Sequence, residues 1–161
     1  MTRLMIALGV GLTLGAQTVA FAQTRPDFSG TWRISQAKSG RNVVGNNPDV
    51  QFASQLEVKQ TPTEISVLET SVRQQSLSAT YKLDGSKVNV QAPEGITQTG
   101  AAKIEGSNLV IMSRRSFSSP AGDIVVDFKE VWSLDGNALT IEKTRTQSGD
   151  SSTQKAIYDK L

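Results

Sequence analysis

Apolar and polar residues take turns along nearly the whole of this chain, and a run with that period can bury one face only as a β-strand. In the first run Phe28, Gly30, Trp32 and Ile34 fall on one side, with Ser29, Thr31, Arg33 and Ser35 on the other. Leu56 and Val58 repeat the pattern, as do Ile65 and Val67 in a strand running toward Val72. Leu77, Ala79, Tyr81 and Leu83 follow, then Val88 and Val90 before the break at Pro93-Glu94-Gly95. Further strands are expected from Val110 to Phe117, Ile124 to Ser133 and Thr153 to Tyr158. No window outside the amino-terminal segment has the period of a long helix.

Tight turns at regular intervals join these runs. Asp84-Gly85, Gly106-Ser107 and Asp135-Gly136 each suit a two-residue hairpin, where glycine accepts the positive φ that the turn demands. Those turns predict that Tyr81 faces Val88 and Ala79 faces Val90. They also set Ile104 opposite Leu109 and Ala102 opposite Ile111. At the last turn Trp132 is expected to face Leu139, Glu130 to face Ile141 and Lys129 to face Glu142. In every case apolar residues share a face, and a one-residue slip would destroy that agreement. Sequential hairpins make an antiparallel up-and-down meander. A flat meander of this length leaves two open edges, so closure into a barrel of about eight to ten strands is expected, with a two-sheet sandwich as the runner-up.

The amino terminus reads differently. Arg3 precedes an uncharged apolar run from Leu4 to Gly15, and Ala20-Phe21-Ala22 supplies a small-x-small cleavage site. These are the parts of a secretory signal peptide at residues 1–22, and the run is shorter than the roughly 20 apolar residues a membrane span needs. The expected location is periplasmic or secreted, without stable membrane insertion after cleavage. Residues 23–161 then form one domain, interrupted by a Gly-, Asn- and Ser-rich loop over residues 36–52 that suits a lid or a compact surface loop.

Composition removes several chemistries at once. The chain contains neither cysteine nor histidine, so disulfides, thiol catalysis, His-based metal centres and a Ser-His-Asp triad are all excluded. Loss of Arg3 with the signal leaves 16 basic residues against 15 acidic ones. That balance gives no clustered charge for capturing nucleic acid. Neither a cofactor nor a metal is expected.

The opening Asp27-Phe28-Ser29-Gly30-Thr31-Trp32 and the late-strand Arg145 resemble small bacterial secreted lipocalin-like proteins of the calycin type. The resemblance covers the two ends of the domain and implies a β-barrel cup able to hold a small apolar ligand. It also implies a structural cap in which Gly30 makes room, Trp32 plugs one end and Arg145 lies over the tryptophan ring. The residues themselves leave Arg145 open to two other readings, an exposed arginine or a ligand contact.

Glu130 interrupts the apolar face formed by Ile124, Val126, Phe128 and Trp132. A carboxylate there needs a buried partner, Lys143 or Arg145, unless a bulge turns it outward. It is the leading candidate for a polar ligand contact, with Tyr81 and Phe128 as lining that reads equally well as ordinary core. Arg114-Arg115 reads as a solvated pair, and Asp123 and Asp127 sit in a turn and on the outer face. Three functions stay open: a binding protein for a small apolar ligand, an envelope or protein-interaction domain with a solid core and an unspecified partner, and an enzyme. The last has no poised nucleophile and base to support it, so the chain is expected not to be an enzyme.

Overall fold

The computed structural model describes residues 25–39, 51–71 and 76–161. The expected signal peptide and most of the 36–52 loop lie outside the described residues. At the start of that loop a single helical turn, α1 (Gln36–Ser39), is seen.

Ten antiparallel strands are present among the described residues. The first five are β1 (Gly30–Ile34), β2 (Gln55–Gln60), β3 (Glu64–Thr70), β4 (Ser76–Lys82) and the short β5 (Val88–Asn89). The longer five are β6 (Ile96–Glu105), β7 (Asn108–Ser119), β8 (Gly122–Asp135), β9 (Ala138–Gln147) and β10 (Asp150–Lys160). The sheet runs β4-β3-β2-β1-β10-β9-β8-β7-β6-β5, so the last strand pairs with the first and the meander rolls into a nearly closed barrel. The sandwich alternative does not fit this single continuous sheet.

The remaining seam lies between β4 and β5–β6, and short links span it. Gly85 N–H donates to Ala102 O at 3.0 Å, while the Gln91 side-chain oxygen accepts from Ser78 N and Oγ at 3.3 and 3.0 Å. Gly100 matters here, because a Cβ on it would fall 2.5 Å from Tyr81 Cε1. The tyrosine ring therefore rests on bare backbone of the facing strand.

Two expected registers are corrected. Tyr81 pairs with Ile65 of β3 rather than with Val88, and Val88 pairs with Gly100 of β6. Ala79 likewise pairs with Val67. Asp84 Oδ1 accepts from Ser86 N at 2.8 Å and Gly85 has φ +83°, which turns the chain off β4 and onto β6. At the β8–β9 turn the central residues are Gly136 and Asn137, so Leu134 faces Leu139, Trp132 faces Ile141, Glu130 faces Lys143 and Lys129 faces Thr144. Gly136 alone takes a positive φ (+57°), the pattern of a turn with glycine first. The shift is two residues, so every side chain keeps its face but meets the next partner along. The β6–β7 register agrees with expectation, with Ile104 opposite Leu109 and Ala102 opposite Ile111.

One end of the barrel is packed solid. Phe28, Trp32, Leu109, Trp132, Leu139 and Tyr158 are all at most 1% exposed. The Phe28 ring meets Trp132 edge-on, with centroids 6.2 Å apart, and Trp32 Nε1 donates to Phe28 O at 3.0 Å. The cation over Trp32 is Lys160, whose Nζ lies 5.2 Å from the ring centroid. This corrects the expected Arg145 cap: β1 pairs with β10 so that Trp32 sits opposite Lys160, whereas Arg145 sits opposite Phe128 farther along the barrel. Gly30 has φ +144°, and a Cβ there would come 2.7 Å from Lys160 Cε, so the glycine clears the path of the lysine stem.

Candidate functional site

Beyond the aromatic end the inward positions turn polar. Strand alternation carries Trp132, Glu130, Phe128 and Val126 inward on β8, and their register partners Ile141, Lys143 and Arg145 on β9 follow. On β7 the same face carries Leu109, Ile111, Ser113 and Arg115, paired with Trp132, Glu130, Phe128 and Val126. Gln98 on β6 faces Arg115, and Gln154 on β10 faces Lys143. From the opposite wall Glu69 on β3 sits between Leu56 and Leu77.

Glu130 and Lys143 form a buried ion pair at 2.8 Å, each side chain little more than one-tenth exposed. Glu130 also accepts from Trp132 Nε1 at 2.9 Å. Lys143 donates to Gln51 O at 3.2 Å, and its ammonium lies 5.2 Å from the Phe52 ring centroid. Burial works against the lysine charge, but the Glu130 and Glu69 carboxylates and the bond to Glu130 outweigh it and raise the lysine pKa. The inward reading of Glu130 with Lys143 as partner describes the structure.

Two guanidinium groups line the same half of the barrel. Arg115 Nε donates to Gln98 Oε1 at 2.8 Å and lies 5.1 Å from the Phe128 ring centroid. This places Arg115 inside the barrel, where residue type alone suggests a solvated surface. Its neighbour Arg114 is outside, held by both oxygens of Asp127 at 2.7 and 2.9 Å. Arg145 donates to the Gln147 side-chain oxygen. Among the described residues neither Arg115 nor Arg145 has a carboxylate within ion-pair distance.

Glu69 completes the interior cluster. Burial raises its pKa, Lys143 pulls it back, Glu130 adds to the rise and Arg115 opposes it. Tyr81 is driven well above its ordinary range by burial first and then by Glu130 and Glu69. Tyr158 shifts the same way from burial, and its hydroxyl donates to Ala53 O at 2.9 Å. The sequence-derived candidates Glu130, Tyr81 and Phe128 thus lie in one interior zone. Gly30 and Trp32 lie at the packed end, and Arg145 belongs to the interior zone instead of the cap.

The Glu69 environment carries a pH consequence. Because its folded-state pKa is raised above the ordinary 4.5, the folded chain holds that proton more tightly than the unfolded chain. The resulting stability is full below 4.5 and is lost as pH rises through the folded-state value. Glu69→Gln is therefore expected to stabilise the protein more at neutral than at acid pH. Urea midpoints at the two ends of that range read the difference, and an equal shift at both would contradict it.

Two concavities among the described residues lie on the outer surface. One, of about 380 Å³, crosses the outside of β6–β9 and is lined by Met112, Arg114, Asp127, Lys129, Thr144 and neighbours. Arg114 and Asp127 pair across it, and Lys87 and Lys129 also line it. The other, of about 420 Å³, is bounded by Arg25, Pro62, Glu64 and Lys82.

No protein-family model matches the chain, and no curated protein is similar to it in sequence. Among solved structures the fold is similar to that of an ileal bile acid-binding protein from zebrafish, with a TM-score of 0.55 and 14% identity. That match covers 83% of this chain and 98% of the other. It is also similar to the fluorescent protein UnaG, with a TM-score of 0.52 and 13% identity over 83% of this chain and 97% of that one. The likeness shows a calycin-type β-barrel fold.

Proposed function

We propose that this chain is an exported binding protein that takes an apolar acid into its barrel. The anionic group docks at Arg115 and Arg145, and the apolar body lies along Phe128, Val126 and Ile124. One observation carries this reading: among the described residues, two inward guanidinium groups bond to neutral amide oxygens and to no carboxylate. A half-buried guanidinium with no carboxylate at ion-pair distance still has donors to offer, and an entering carboxylate takes them in strong charge-assisted bonds.

The zebrafish neighbour is described as complexed with cholic acid, which agrees in kind with an acid inside a barrel. Export rests on the Arg3, Leu4–Gly15 and Ala20-Phe21-Ala22 pattern of the sequence. Among the described residues no helix is long and apolar enough to cross a membrane.

Calorimetric titration with oleic acid and with oleyl alcohol tests it. The acid is expected to bind at least about tenfold more tightly, since a bond to a charged group contributes about 1.5–3 kcal/mol. Arg115→Leu is expected to erase that difference. Binding of neither compound would favour the interaction domain with a solid interior.

A further inference from the structure

Gln154 is the interior polar group that the ion pair and the arginines leave unexplained. Its Oε1 atom is buried and has no hydrogen-bond partner. Strand register sets it opposite Lys143, with its side chain on the inward face shared by Ala156 and Tyr158. Its register partner Lys143 directs its observed bonds elsewhere, to Glu130 and to Gln51 O. Nearly all buried polar atoms in folded proteins are bonded, and leaving one unbonded is destabilising.

We infer that the ligand is a hydroxylated apolar acid, with its hydroxyl bound by the Gln154 side-chain amide while its carboxylate meets the interior arginines. The inference rests on the binding reading above and narrows it to one chemical class. A hydroxyl both donates and accepts, so it satisfies whichever end of the amide faces it. A plain fatty acid meets the arginines equally well but leaves Gln154 unbonded. The two groups together therefore ask for a molecule that is charged at one end, apolar along its body and interrupted by a hydroxyl.

The test titrates the folded chain with myristic acid and with its monohydroxy isomers, the hydroxyl moved stepwise along the carbon chain. At one position or more the hydroxylated acid is expected to bind about tenfold more tightly than myristic acid, the equivalent of one well-made buried bond. Gln154→Leu is expected to abolish that preference while keeping or improving the affinity for myristic acid. If every isomer binds no better than myristic acid, the inference is overturned while the acid-binding reading survives. If no acid binds at all, the underlying reading fails. The isomer series on the unmodified protein decides the matter even where Gln154→Leu disturbs folding.

Discussion

Lys143→Met is expected to lower the unfolding free energy by about 3–5 kcal/mol, a large part of the roughly 5–15 kcal/mol that holds a domain of this size together. The lysine is about one-tenth exposed and answers Glu130 at 2.8 Å, with Glu69 as a second carboxylate in its field. Methionine fills similar volume, so packing alone accounts for little of the loss. What remains is a carboxylate pair with its central cation gone. Adding Glu130→Leu to the same chain is expected to recover much of the loss, because two apolar side chains of matching size remove the need for a buried pair. Chemical denaturation of the two single variants and the double variant reads the coupling. Additive losses would show that the pair is not a unit.

Trp132→Ala is the second large effect, at about 3–5 kcal/mol. The indole is 1% exposed, is met edge-on by Phe28 and donates its Nε1 hydrogen to Glu130. Its removal opens a cavity where the packed end meets the polar interior and strips Glu130 of one of its donors. The loss is expected as a fall in both the thermal midpoint and the denaturant midpoint. Lys160→Ala is the contrasting case, since its cation lies on Trp32 from the exposed side and such contacts are worth about 0.5–1 kcal/mol. A Trp132→Ala variant as stable as the parent would mean that the packed end does not support the fold.

Alternation alone reads most inward side chains across β6 to β10, but it leaves Glu130 open between a buried partner and an outward bulge. Partners were harder, because a shift of two residues leaves every face unchanged. The β8–β9 hairpin shows this: the choice between Asp135-Gly136 and Gly136-Asn137 as the turn decides whether Glu130 meets Ile141 or Lys143. That choice depends on which residue takes positive φ, and both sequences tolerate it. Lys160 on Trp32 follows from the pairing of the last strand with the first, a long-range contact with no local signal. Arg115, Glu69, Gln98 and Gln154 did carry a signal. Each occupies a position with the parity of its strand's apolar residues, and reading them by residue type instead of by parity hides the polar interior.

The position of the bound acid tests the account most directly. In isotope-edited NMR of the protein with oleic acid, the account predicts nuclear Overhauser contacts from the ligand chain to the ring protons of Phe128 and Tyr81. Contacts to the Met112 methyl group in the outer groove, with none to those rings, would contradict it.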